Sequence, residues 1–390
     1  MTGSAVNNKD VHVEGEQTSS RLQRVGQSLR ETLIRAYRGE NSGALMLVML
    51  VVIAIFALML RETTYLSASN FLGIVRQTAA ITIMAVPTVF VIACGEIDLS
   101  IAAVVPVAAF LAALLLPEYG VVPSVLVALG FGAVVGFVNG VITVRFRIPS
   151  FVVTLGTLSI LQGIALRITN VISVPIQDES FTTIFGDGSL GPLSVQVLWT
   201  LSVAAVGFVI LAWTPVGRAV LATGANTSAA RFSGIRTDRV KVGALTASGI
   251  GGALAGLLYA GQYGAASYTL GTSDLLTVIA AVIIGGTALT GGKGSVLGAV
   301  VGSLLIGTLN NGLVIIGLSN PEQLIARGII IIAAVMFSAR TVGQRQARAR
   351  PGRLSTRRSS ADTTGPSATS APPGSPAPVD SHHEGGPEES

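Results

Sequence analysis

The stretch VFVIACGEIDLSIAAVV, residues Val89–Val105, sets two carboxylates, Glu96 and Asp98, inside a nearly unbroken apolar run with no basic residue beside them. It reads as two apolar helices joined by a short polar break. Gly95 ends the first helix, and Asp98 caps the second, whose first turn begins at Leu99. A carboxylate suits that position because free backbone N–H groups and the positive end of the helix dipole meet there. A charge facing lipid at mid-bilayer would cost roughly 2.5–3.5 kcal/mol or more. Glu96 and Asp98 are therefore expected to face water or protein. A break of this kind is tolerated where it lines a cavity, so the acids either line a solute path or cap a helix. Both readings stand at this point.

The surroundings of the break set the class. The 390 residues are 50% hydrophobic and 12% charged, with a mean hydropathy of +0.67, against about 25% charged in a typical soluble chain. Apolar runs long enough to cross a bilayer recur between Gly43 and Phe337. The expectation is an all-α polytopic membrane protein of about ten transmembrane helices. The spans are placed near Gly43–Leu60, Leu72–Cys94, Leu99–Leu116, Val121–Val144, Phe151–Leu166, Val195–Trp213, Val242–Tyr259, Leu275–Leu289, Ser295–Ile316 and Gln323–Phe337. The third, fifth, eighth and tenth are short or interrupted. The 46 glycines suit close packing of such helices.

Basic residues orient the chain, because Lys and Arg favour the cytoplasmic side. Arg21 to Arg38, the Arg145/Arg147 loop, the Arg218–Lys241 segment, Lys293 and the tail from Arg340 fall on one side of a ten-span path. Both termini are then cytoplasmic, and the break lies at the cytoplasmic boundary. Glu118, Asp178, Glu179, Asp187 and Asp274 fall opposite. The net charge of +5 is a topology signal and calls for no nucleic-acid partner. Residues 1–42 form a cytoplasmic N-terminal segment with no signal-peptide pattern, 43–338 the transmembrane domain, and 339–390 a cytoplasmic tail. The tail is rich in Ser, Pro, Thr and Gly and expected to be largely disordered.

The chemistry available inside the spans is sparse. The sole cysteine, Cys94, excludes an internal disulfide, and the three histidines lie in the tails. No metal site, cofactor or catalytic group is expected. Apart from the break, Arg76 and Arg327 are the only ionisable residues within spans, and both are close enough to the outer face to snorkel. The run GGTALTGGKGSVLG (Gly285–Gly298) imitates a phosphate loop. However, Thr287 stands where the first Gly should, and Gly294 where a hydroxyl should follow Lys293. It reads as a flexible Gly turn. Gly132/Gly136/Gly140, Gly252/Gly256 and Gly294/Gly298/Gly302 form small-residue seams, with packing as their expected role. Asn139, Thr154, Thr157, Gln162, Asn310 and Asn311, with Glu96, Asp98 and Ser100 at the break, are candidates for a polar path taking a neutral, hydroxyl-rich solute. Individually, each neutral member also suits an interhelical hydrogen bond. Tyr65, Tyr119, Trp199, Tyr263 and Tyr268 suit an outer aromatic belt.

The segment PVGRAVLATGANTSAARFSGIRTDRVKV (Pro215–Val242) is the longest cytoplasmic connection between spans. Asn226 or Thr227 caps a short helix that ends at Gly234. The helix suits docking into a soluble partner, and the basic loop also suits a purely topological role.

Three blocks then carry a resemblance: CGEIDLSIAAVV (Cys94–Val105), FRIPSFVVTLGTLSILQGIAL (Phe146–Leu166), and Gly217–Leu313 with GRAVLATGANTSAARFSGIRTDRVK and IGGTALTGGKGSVLGAVVGSLLIGTLNNGL. The chain resembles the inner-membrane permease subunits of ribose/simple-sugar ABC importers over roughly Leu72 to Phe337. The resemblance implies a permease that works as a dimer with a cytoplasmic ATP-binding subunit and an extracytoplasmic solute-binding protein. It also implies alternating-access import of a monosaccharide or similar polyol, in the bacterial inner membrane, with no ATPase motif of its own. Gly224, Asn226, Ala230, Arg231 and Gly234 would belong to the helix that contacts the ATPase. The family's first block usually reads Gly-Gly-Ile-Asp-Leu-Ser-Val-Gly, so Glu96 and Ala102 depart from it. A nucleoside or branched-chain amino-acid permease on the same scaffold is the nearest alternative. An ion-coupled secondary transporter would need intramembrane ionisable residues beyond the Glu96/Asp98 pair, and a membrane enzyme a carboxylate-rich or metal-binding catalytic loop.

Overall fold

The computed structural model describes residues 42–60, 65–329 and 332, apart from 169, 192, 320 and 327. Helix α1 is Ser42–Met59, α2 Ala68–Ala93, α3 Ile101–Tyr119, α4 Val121–Phe146 and α5 Ser150–Ile168. After β1 (Val174–Pro175) come α6 (Glu179–Phe185), β2 (Ser189–Leu190), β3 (Leu193–Ser194) and α7 (Val195–Trp213). Then follow α8 (Pro215–Ala225), α9 (Thr227–Phe232), α10 (Thr237–Tyr263), β4 (Ala265–Ala266), α11 (Leu275–Ile284) and α12 (Val296–Ile315).

Among the described residues, seven helices are long and apolar enough to cross a membrane: α2, α3, α4, α5, α7, α10 and α12. They coincide with expected spans to within a few residues, and α7 matches its span at both ends. The expected span Leu275–Leu289 is different. Its helix, α11, stops at Ile284 after 10 residues, giving about 15 Å at 1.5 Å per residue, half of a hydrocarbon core. The glycines that follow it end the helix early. The expected span Gln323–Phe337 lies largely outside the described residues, as do both tails and Arg327.

Helices α2, α3 and α10 form the interior. In its most apolar window α2 is 83% buried against 17% for α5, which places α5 at the lateral surface. There Leu155 and Ile160 of α5, Val134 and Phe137 of α4, and Leu201 and Val206 of α7 point outward, as lipid-facing residues do. The α4–α10 contact follows the glycine seam. A Cβ at Gly132 would lie 2.3 Å from Gly249 O, and one at Gly136 2.2 Å from Leu245 O. Small residues let these two backbones touch.

Two ends of the bundle differ in charge. One, the basic end, carries Arg145, Arg147, Arg236, Arg239, Lys241 and Lys293. At the other, β1 pairs antiparallel with β4, Val174 opposite Ala266, and β2 pairs with β3. Asp178, one of the acids of that end, accepts from Phe181 N at 2.8 Å and caps α6. Trp199 donates to Ile184 O at 2.9 Å, as a belt residue with one polar handle does. Tyr65 departs from the expected belt. It is fully buried, with its ring 5.7 Å from that of Phe56, because α1 folds back over the end of α12.

Candidate translocation site

The break is built by local chemistry first. Helix α2 closes with a Schellman motif: Glu96 N donates to Val91 O and Gly95 N to Ile92 O, both at 3.0 Å. That geometry needs the left-handed backbone of Gly95, φ +86°. Helix α3 then starts at Ile101, two residues later than expected. Asp98 is not its formal N-cap. Its Oδ1 accepts from Ser100 N at 2.8 Å and from Ser100 Oγ at 2.6 Å, a turn that bends the chain into the helix.

Neighbouring helices then fix the break in place. Ile97 N donates to Ser150 Oγ at 2.9 Å and Leu99 N to Thr154 Oγ1 at 3.1 Å. Asn139 Nδ2 donates to Ser100 Oγ at 2.9 Å, and Asn139 Oδ1 accepts from Thr157 Oγ1 at 2.6 Å. A continuous chain Asp98–Ser100–Asn139–Thr157 therefore crosses from the break through α4 to α5. Ser150, Thr154 and Thr157 climb about two turns, or about 10 Å, from the first residue of α5. The break thus sits inside the basic end of the bundle, not at its rim. Asp98 is 2% exposed and Asn139 1%. The Asp98 carboxylate also faces the buried Ser248 hydroxyl of α10.

Glu96 answers differently. Its carboxylate forms an ion pair with Lys241 in α10, the two side chains being 8% and 21% exposed. The sequence shows no base beside Glu96, and Lys241 was legible only as one charge of a basic loop. This pairing puts Glu96 between elements, facing protein.

The remaining candidates do not join this cluster. Asn311 exchanges two hydrogen bonds with Asn70, 3.0 and 2.9 Å long, at the far end of α2. Asn310 is half-buried beside it on α12, and Gln162 is exposed on the outer face of α5. Sequence reasoning missed Gln196, fully buried in the first turn of α7 with neither amide atom hydrogen-bonded. Only a polar residue in an apolar helix could have pointed to it. Arg76 has a buried, unpartnered Nε.

The loop after α8 forms the expected short helix. Asn226 caps α9, accepting from Ala229 N at 3.0 Å, and Gly234 closes it with Ile235 N donating to Ala230 O at 3.0 Å. Ala230 is buried, while Phe232 is 94% exposed. Arg231 is already engaged: it pairs with Asp238, and its Nε donates to Thr237 Oγ1 at 2.7 Å. Gly224 is wedged against the end of α2, where a Cβ would lie 1.9 Å from Ala93 O. The glycine turn of residues 285–294 packs on the same point, Gly292 N donating to Ala93 O at 2.9 Å.

No solved structure matches the chain significantly. Curated relatives do. The chain is 37% identical to ribose import permease protein RbsC of Haemophilus influenzae, over 74% of this chain and 90% of that protein. It is 35% identical to RbsC of Bacillus subtilis, over 70% and 86%. With the L-arabinose ABC transporter permease protein AraH of Azospirillum brasilense the identity is 31%, over 79% and 90%. Residues 70–335 match the family described as branched-chain amino acid transport system / permease component. Helices α3 to α12, nearly all of α2, the broken segment and the capped loop lie within that range, and the chain belongs to this permease family.

Proposed function

We propose that this chain is the membrane-spanning subunit of an ATP-driven importer that moves a monosaccharide or similar polyol across the bacterial inner membrane by alternating access. The relatives named for ribose and L-arabinose import, matched over about nine-tenths of their own length, support the solute class. In this reading the chain makes about ten crossings with both termini in the cytoplasm, and it works as a dimer. The basic end faces the cytoplasm. Its partners there are an ATP-binding subunit, and on the opposite face a solute-binding protein.

One observation carries the coupling assignment: α9 is rigidly capped at both ends yet presents Phe232 to solvent at 94% exposure. An exposed aromatic on a short fixed helix is suited to fill a pocket of a soluble partner. Gly224, Asn226, Ala230, Arg231 and Gly234 shape that helix and do not themselves make its contact face. The chain Asp98–Ser100–Asn139–Thr157, with Thr154, is the polar wall that a hydroxyl-rich solute would meet when the break opens.

The test is co-purification of the full chain in detergent with the ATP-binding subunit of its importer. Wild type is expected to capture that subunit, and Phe232→Glu to lose it at unchanged abundance. Capture by both rejects α9 as the docking element, and capture by neither rejects the importer reading. The family description favours a second solute class, branched-chain amino acids. Uptake of labelled D-ribose, L-arabinose and L-leucine decides between them.

A further inference from the structure

The segment carrying α9 is tied at both of its ends to one short stretch of the break. Before α9, Gly224 presses on Ala93 O and lies against Gly292 N. After α9, Lys241 pairs with Glu96. Ala93 and Glu96 flank Cys94 and Gly95, and the next acid along is Asp98, which opens the hydrogen-bonded chain to Thr157. Within the segment, Asp238 is held by Arg231. A buried ion pair is a poor source of stability but fixes which groups lie together.

We infer that the Glu96–Lys241 pair is a positioning device of the transport cycle, which with the Gly224 contact makes the α9 segment and the helix break move as one body. A displacement imposed on Phe232 then reaches Ala93–Glu96 and, one turn on, Asp98 and Ser100. Neither Glu96 nor Lys241 touches solute in this scheme. Its role is to keep the break in register with the loop that the partner moves. The inference rests on the reading of α9 as the docking element.

Cys94 provides the readout, being the sole cysteine and 1% exposed at the centre of the tied stretch. The full chain with its ATP-binding subunit, in native membranes, is labelled with N-ethylmaleimide with and without ATP plus vanadate. Wild type is expected to change its Cys94 labelling rate several-fold on nucleotide trapping. The double variant E96Q/K241M removes both charges together, so neither is left stranded. It is expected to reach the membrane and capture the ATP-binding subunit as wild type does, to label several-fold faster at rest, and to lose the nucleotide response. Recovery of the response in E96K/K241E supports pairing of opposite charges as the cause. A wild-type response in E96Q/K241M overturns the inference. So does loss of abundance in that variant with no recovery in E96K/K241E, which makes the pair merely structural. Wild type that captures the subunit without any nucleotide response overturns it as well, whereas wild type that captures none fails the functional reading first.

Discussion

Thr157 donates its hydroxyl to Asn139 Oδ1 at 2.6 Å, joining α5 to α4 at the depth of the helix break. Asn139 passes the bond on to Ser100, so one amide holds two helices and the start of a third. Its removal has measurable consequences.

A double-mutant cycle of Asn139→Ala and Thr157→Val measures this bond. Interhelical hydrogen bonds in membranes are worth about 0.6 kcal/mol on average and about 1.7 kcal/mol at most, and a coupling energy in that range is expected from thermal unfolding in detergent. Additive losses would show that the bond does not bind the helices together.

Asp98→Asn keeps an acceptor for both Ser100 donors but turns the other carboxylate oxygen, on the side of Ser248, into an amide donor. Membrane abundance is expected to stay at the wild-type level while sugar uptake falls several-fold. Unchanged uptake would reduce Asp98 to a turn-forming residue. Asp98→Ala removes the turn as well, so abundance is expected to fall with it.

Gly136→Val places a side chain where even a Cβ would lie 2.2 Å from Leu245 O, and the α4–α10 seam has to part. Loss of folded protein is expected, read as membrane abundance. Gly130→Ala, on the same helix with nothing within 4 Å of its Cβ, is the control and is expected to be tolerated.

Asn311→Leu breaks the reciprocal pair with Asn70 far from the break. A lower unfolding temperature with unchanged uptake per folded molecule is expected. A specific loss of uptake would return Asn311 to the solute path.

Phe232→Ala touches an exposed side chain, and its effect on stability is expected to stay within about 0.5 kcal/mol. Arg231→Glu is a poorer probe of docking, because it sets two acids against each other at Asp238. It is expected to lower abundance as well as capture.

The sequence by itself determined where the seven long helices run, though not that α11 stops at Ile284, because length and apolarity are local properties that the bilayer reads directly. It also determined that α2 stops at Gly95 and that a short helix lies between Asn226 and Gly234, since caps and left-handed turns are written in single residues. Tertiary structure alone decided which polar groups meet. Helices apolar all round carry no stripe that says which face turns inward. Nothing local therefore distinguished Asn139, drawn into the break by Ser100, from Asn311, paired with Asn70 at the opposite end. The same holds for Glu96: its sequence neighbourhood offers no cation, and only the packing of α10 against the end of α2 brings Lys241 to it.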